Sequence, residues 1–480
     1  MLIEIMKKPK AKNSIPRLPP GPWKVPVIGN IHQLLGSLPH RSLRDLAKTY
    51  GPLMHLQLGE VSAIVVSSPE MAKKVMKYHD VIFAYKPSLL SARILAYNNS
   101  DIIFAPYGNY WRQLRKICTM ELLGANRVRL FRSVREEEAS NLIKSISSYD
   151  GLPINLSEKI FSTTYGITSR AAFGKKCNDQ DQKEFISLIK EATKLSSGFC
   201  AADEYPSIKL LETISGLRPK LEKIFQKTDM ILQNIVNEHK GRHVEAEADL
   251  VDVLLKVQQE DNLEFPLTDE NIKAIILDIF VAGGETSSTI IEWALSEMLK
   301  NPLVMKEAQK EVRRVFYGKT TIDETRINEL KFLKSIIKET LRLHPPLSLL
   351  LRECSKDCEI DGYIIPAKSR IIVNAWAIGR DSTYWTDAET FYAERFLNSS
   401  IDYKGTDFQF IPFGAGRRIC PGISFALPNI EFPLAQILYH FDWKLPNKMK
   451  LENLDMSEEF GLSVKRRNDL FLIPIAYHLR

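Results

Sequence analysis

The 480-residue chain lacks most of the features that would place it in a specialised class. Its six cysteines, at 118, 177, 200, 354, 358 and 420, include no Cys-x-x-Cys pair, which excludes a zinc ribbon and a disulfide scaffold. That usage fits a reducing, cytosol-facing compartment, in which one cysteine is free for its own chemistry. Glycine (23) and proline (25) stand near average usage, so collagen, low complexity and wholesale disorder are excluded. The net charge of +7 comes with no basic stripe and no binding module, so a nucleic-acid partner is excluded too. No run approaches the ~18 apolar residues that span a bilayer. Residues 1–6 are apolar but few, and Glu4 interrupts them. Neither a Gly/Ser linker nor an internal repeat divides the chain.

Hydrophobic residues at 44% and charged residues at 26% give the balance of a globular protein with a large core. Lys7, Lys8, Lys10 and Lys12 precede the hinge Pro16-Arg17-Leu18-Pro19-Pro20-Gly21-Pro22. Basic residues before a proline hinge flank the cytosolic side of membrane anchors, so residues 1–22 read as such a segment with its anchor absent or removed. Residues 23–480 then read as one continuous domain, mainly α with a small β region. Leu56-Gln57-Leu58-Gly59 and Ser62-Ala63-Ile64-Val65-Val66 predict a strand pair, and Ile371-Ile372-Val373-Asn374 a further strand. Thr268-Asp269-Glu270 predicts the start of a long helix that ends before Asn301-Pro302. Its middle, Ala282-Gly283-Gly284-Glu285-Thr286-Ser287, forms helix poorly and carries a charge. A local violation of that kind points to function.

The most specific segment is Phe413-Gly414-Ala415-Gly416-Arg417-Arg418-Ile419-Cys420-Pro421-Gly422. A cysteine in a glycine-rich loop beside two arginines is placed to become a thiolate. A thiolate is the ligand that pushes electron density onto haem iron and favours O–O cleavage. For the other five cysteines the expected role is that of small buried hydrophobes. Phe413, Gly416, Arg418, Cys420 and Gly422 match every fixed position of the F-x-x-G-x-R-x-C-x-G signature of the cytochromes P450. Three further segments resemble motifs of that family in order: Glu339-Thr340-Leu341-Arg342 its E-x-x-R, Ala393-Glu394-Arg395-Phe396 its P-E-R-F, and residues 282–287 its oxygen-binding segment. The chain is most similar to the plant microsomal members that oxidise terpenoids and alkaloids.

The resemblance implies a haem b enzyme with the P450 fold, its long central helix crossing the domain over the haem. Cys420 is then the axial iron ligand, and Thr286 with Glu285 the acid–alcohol pair that delivers protons to bound oxygen. Gly283 and Gly284 would leave room for O₂. Trp111, Arg115, Arg352 and Arg418 are implied haem-propionate partners, with Phe413, Gly414 and Gly422 in the cofactor loop. Glu339, Arg342 and Arg395 form the implied structural triad. Ile103, Phe104, Ile279, Ala282, Leu349, Leu350 and Leu462 are the implied substrate contacts, a mostly apolar set that suits a bulky hydrophobic molecule.

Without a Rossmann fingerprint or flavin domain, the chain must receive electrons from NADPH through a partner, NADPH–cytochrome P450 reductase. Arg112, Lys116 and Arg417 are candidates for its docking face. The reading is a monomeric monooxygenase on the cytosolic face of the endoplasmic reticulum, touching the membrane through its N-terminal region. It inserts one atom of O₂ into a terpenoid, or, as the alternative, oxidises or couples an alkaloid. An O₂-independent isomerase or dehydratase, and a non-catalytic haem protein, fit Glu285-Thr286 less well. Four places depart from the family pattern: Ala393 replaces a proline, residues 347–351 are one residue short and lack prolines, Lys86 replaces an arginine, and Pro428 should kink a helix or mark its first turn.

Overall fold

Thr268 sets the start of the longest helix. The computed structural model describes residues 17–174, 179–196, 198–241, 249–260, 263–319 and 322–477, so Cys177 and residues 1–16 lie outside it. The Thr268 hydroxyl accepts the Asn271 N–H, and the Asn271 side chain accepts the Thr268 N–H in return. This reciprocal cap satisfies two donors that a helix start leaves open. Asp269 and Glu270 add negative charge where the helix dipole favours it. The helix runs Asp269–Lys300 and stops at Asn301, because Pro302 opens the next helix, Pro302–Val315. Its 32 residues extend about 48 Å. By length and composition it could also cross a membrane, a run that the sequence reading did not pick out. Yet 78% of its most apolar 18-residue window is buried in the protein.

Two apolar clusters meet along this helix. Its first half sends Ile272, Ile276 and Phe280 into a cluster with Phe185, Leu232 and Leu254. Its second half sends Ile290, Ala294 and Met298 into another with Phe332, Leu434 and Leu438. The polar, glycine-containing stretch 282–287 falls between them. There the helix Leu156–Phe173 lies across it, and Gly284 permits the approach. A Cβ at Gly284 would stand 2.7 Å from three atoms of the Tyr165 ring. Gly284 therefore makes room for a neighbouring helix rather than for a small ligand.

The predicted strand pair is a hairpin, β1 (Leu53–Leu58) and β2 (Val61–Val66), turning at Gly59-Glu60. A strand that the sequence reading did not expect, β3 (Leu349–Glu353), completes the sheet with β4 (Arg370–Asn374). The order is β1-β2-β4-β3, with β2 and β4 parallel and the other pairs antiparallel. Strand alternation splits the apolar run at 349–352. Leu349 and Leu351 pack with Met54, Leu56 and Ile372 on one face, while Leu350 and Arg352 face the opposite side. The remaining sheets are small, and helices make up most of the chain. The helix Ile423–His440 runs through both Pro428 and Pro433, so Pro428 does not mark its first turn.

Candidate active site

Cys420 lies on the wall of a cavity at the centre of the molecule. Its loop turns through left-handed Gly414 (φ 71°) and Gly416 (φ 69°). Gly416 admits no side chain, since a Cβ would stand 2.1 Å from the Met76 carbonyl oxygen. The Cys420 N–H donates to Phe413 O at 2.9 Å, and the Gly422 N–H donates to Cys420 Sγ at 3.3 Å. Burial pushes the thiol above its usual value, outweighing the Gly422 N–H and the Arg115 charge that pull it down. The neighbouring arginines do not serve the sulfur as the sequence suggested. Arg417 points outward to Asp80 at 3.5 Å, and Arg418 turns to backbone carbonyls. A coordinating metal, which deprotonates a thiol outright, would have to supply the thiolate.

Four cations line the same cavity: Lys86, Arg115, Arg352 and Arg418. Lys86 Nζ donates to Leu351 O at 2.9 Å and Arg352 Nη2 to Ala415 O at 3.1 Å. Arg418 donates to Ala84 O at 2.8 Å, Ala105 O at 2.5 Å and, more weakly, Ile102 O and Ile103 O. Every one of these acceptors is a neutral carbonyl. Arg352 Nη1 is buried with no acceptor among the described residues. Burial, helped by the like charge of Arg352, brings Arg418 down to about 9; burial brings Arg352 down to about 10 and Lys86 well below the usual lysine value. Asp80 acts on Arg352, and Asp101 on Lys86 and Arg418, only through space; among the described residues no carboxylate bonds these buried cations, so this end of the cavity suits an anion. Trp111 lends its ring to Arg418, 4.2 Å away, but its indole N–H is already given to Ile102 O at 2.9 Å. Lys86, set aside in the sequence as a departure from pattern, belongs to this cluster. Its signal was a lone cation closing the apolar stretch Val81-Ile82-Phe83-Ala84-Tyr85.

The rest of the wall is mostly apolar, with Asp278 and Thr286 as polar members, within a space of about 1470 Å³ including its mouth. Ile103, Ile279, Ala282 and Leu350 line it as expected, and Ile102, Ile290, Leu123 and Phe425 join them. Three expected contacts do not line it. Leu349 faces the other side of its strand, Phe104 sits half-buried beyond the wall, and Leu462 is 38% exposed at a hairpin turn. Thr286 does line it, with its hydroxyl donating to Ala282 O at 2.6 Å. Glu285 does not. Successive helix residues point about 100° apart. The Glu285 carboxylate therefore turns into the protein, where Oε1 accepts the Ser463 hydroxyl at 2.5 Å and Oε2 has no partner.

A family model described as Cytochrome P450 matches residues 19–472. The chain belongs to the cytochrome P450 family. Among its relatives, Cytochrome P450 71D10 from Glycine max is 57% identical over 98% of this chain and 94% of its own. Tabersonine 6,7-epoxidase isoform 2 from Catharanthus roseus is 53% identical over 99% and 94%, respectively. Premnaspirodiene oxygenase from Hyoscyamus muticus is 50% identical over 98% and 96%. A zebrafish cytochrome P450 solved with progesterone shares the fold at TM-score 0.80 and 23% identity, covering 92% of this chain and 100% of that one.

As a P450, the chain is a haem b monooxygenase that takes electrons originating in NADPH from a redox partner and acts on hydrophobic molecules. The cavity fits that cofactor, because its wall offers a sulfur for the iron and cations, one with an unused donor, for the two propionates. Behind the cavity the P450 triad is complete. Arg342 is fully buried and donates to both Glu339 oxygens at 2.8 and 2.7 Å, and to Gly379 O, Ala388 O and Thr390 O. Glu339 Oε1 also accepts Arg395 Nε at 3.1 Å and the Tyr392 N–H at 3.0 Å. One helix, the turn around residues 386–392 and the Ala393–Phe396 segment are thereby held together.

Proposed function

We propose that this P450 inserts one oxygen atom from O₂ into a hydrophobic plant specialised metabolite of the terpenoid class. The carrying observation is the apolar wall of Ile102, Ile103, Ile279, Ala282 and Leu350 above Cys420. A hydrocarbon skeleton buries well against such a surface. Premnaspirodiene oxygenase, a relative at 50% identity, has a terpenoid name. The second reading is alkaloid oxidation, favoured by Asp278, a carboxyl on that wall, and by the tabersonine epoxidase among the relatives.

In this reading, residues 23–480 act as one catalytic unit. Cys420 would ligate the iron, and Lys86, Arg115, Arg352 and Arg418 would neutralise the propionates, with Trp111 stacked on Arg418 and Phe413, Gly414 and Gly422 near the sulfur. The bound haem supplies the oxygen-activating chemistry. Thr286 holds a proton donor at the cavity wall; Glu285, kept off the wall by Ser463, reaches the cavity only through water or a rotamer change. NADPH–cytochrome P450 reductase docks on the exposed Arg112, Lys116 and Arg417. The membrane contact is made by Trp23, Val27 and Leu35, 69%, 81% and 70% exposed, together with Ile208 and Leu210, which the Tyr205–Val27 hydrogen bond brings alongside. Endoplasmic-reticulum placement rests on the resemblance to the plant microsomal members of the family.

The test is optical. Terpenoid hydrocarbons and alcohols are titrated against the ferric protein, then indole and isoquinoline alkaloids, and the Soret band is followed before products are identified with reductase and NADPH. A high-spin shift and an oxygenated product with terpenoids alone support the first reading. The same pair of results with alkaloids alone replaces it with the second.

A further inference from the structure

The loop between Asp101 and Ala105 is polarised across its width. Its N–H groups point one way: Ile102 N–H donates to Asp278 Oδ2 at 3.0 Å, and Phe104 N–H donates to Asp101 Oδ1 at 3.0 Å. Its carbonyls point the other way: Ile102 O accepts the Trp111 indole N–H, and Ile102 O, Ile103 O and Ala105 O accept the Arg418 guanidinium. On its N–H side sit two carboxyls, one on the loop and one on the central helix, and on its carbonyl side sit residues of the cofactor cradle.

We propose that Asp101 and Asp278 form a carboxyl pair, joined by one shared proton, that clamps this loop to the central helix and so positions Arg418 and the cavity wall at Ile102 and Ile103. Asp101 is fully buried, and its Oδ2 receives no N–H or O–H from any described residue. The carboxyl of Asp278 is its side-chain partner. The other ionisable groups facing the pair are spoken for. Lys86 bonds Leu351 O, Arg418 bonds four carbonyls, Tyr110 donates its hydroxyl to Ser100 O at 2.6 Å, and Cys118 is a buried thiol. Among the described residues no cation therefore bonds either carboxyl, and two buried carboxylates side by side would repel. A single proton between them removes the repulsion and gives Asp101 Oδ2 its missing partner. Burial agrees in direction, pushing Asp101 up to about 6 and Asp278 well above the usual carboxylate range.

Asp101 and Asp278 are positioning residues: they act on the cofactor through the loop. Asparagine mimics a carboxyl that carries the shared proton, because its amide both donates and accepts; alanine does neither. The experiment is hydrogen–deuterium exchange of the haem-loaded protein at single-residue resolution, normalised to the amides of β2 and β4, with haem transfer to apomyoglobin as a second readout. Asp278→Ala and Asp101→Ala are expected to speed exchange at Ile102 and Phe104 by about tenfold or more, the factor that corresponds to about 1.4 kcal/mol, and to speed haem loss. Asp278→Asn and Asp101→Asn are expected to keep both rates close to those of the parent. Asparagine variants as fast as the alanine variants would overturn the shared proton. Alanine variants with parental exchange would overturn the clamp. If the alanine variants loosen the sheet amides as well, the asparagine pair decides, since slow exchange there upholds the proposal and fast exchange rejects it.

Discussion

Gly284→Ala tests the packing of the central helix most directly. The added Cβ would meet Tyr165 Cδ1, Cδ2 and Cε1, each at 2.7 Å, where carbon atoms rest at about 3.5–4.0 Å. The ring has nowhere to go, because it is fully buried with Phe161 at 4.4 Å and Phe280 at 5.0 Å between centroids. The helix Leu156–Phe173 must therefore shift by close to the overlap. Overpacking of this kind costs about 1–3 kcal/mol, and the blocked ring places it at the upper end. Alanine in place of a helix-interior glycine gives back up to about 1 kcal/mol. The net loss is about 2 kcal/mol. With an unfolding entropy of about 2.1 cal/mol/K per residue, a chain of 480 residues loses about 2 °C in its thermal midpoint. In a Tyr165→Ala background, which has no Cδ or Cε atoms, the clash is gone, and the same substitution should be neutral or stabilising. Because Gly284 is not on the cavity wall, carbon monoxide binding to the reduced protein should not change. A Gly284→Ala protein that melts higher in the parent background, or stays stable while losing the carbon monoxide complex, would refute the packing argument and restore a role over the cofactor.

Glu339→Gln removes the charge that faces buried Arg342 and Arg395; breaking a buried pair on one side costs about 3–5 kcal/mol, so the yield of protein with a thiolate carbon monoxide spectrum should collapse, and a normal yield would count against the triad. Arg352→Met takes away the donor that has no acceptor in the protein, so haem transfer to apomyoglobin should accelerate at least about tenfold, one charged hydrogen bond at about 1.5–3 kcal/mol; an unchanged rate would remove Arg352 from the cradle. Ser463→Ala leaves both Glu285 oxygens bare at a cost of about 1–3 kcal/mol, whereas Ser463→Thr should keep the parental midpoint; equal effects would show that the hydroxyl does not hold the acid. Burial pushes Glu204 from its usual 4.5 up to about 7 against the pull of Arg370, so the folded protein holds this proton more tightly than the unfolded chain. Its contribution to stability is full below 4.5 and is lost as pH rises to about 7, and Glu204→Gln should remove that part of the slope in urea melts taken across the window.

The Cys420 loop and the Glu339–Arg342 pair were legible because their signals are short. The loop around Cys420 needs its glycines at fixed offsets, and Glu339 and Arg342 stand one helical turn apart wherever the helix lies. What could not be read was direction. Residues 349–351 are three consecutive leucines with no alternation, so nothing in them announces a strand that sends Leu350 into the cavity and Leu349 away from it. Glu285 and Thr286 are neighbours in one motif, and only the rotation of the helix separates the acid from the wall.

Chemistry and local rhythm were thus determined by the sequence itself: which residues can ligate iron, where the long helix is capped and stopped, and which segments are apolar. Tertiary structure decided partnership. Gly284 is explained by Tyr165, Lys86 by the Leu351 carbonyl, and Asp101 by Asp278, each pair distant along the chain. Burial then set the consequences, because a cation or carboxyl that water would solvate at the surface must find a counterpart once the fold encloses it.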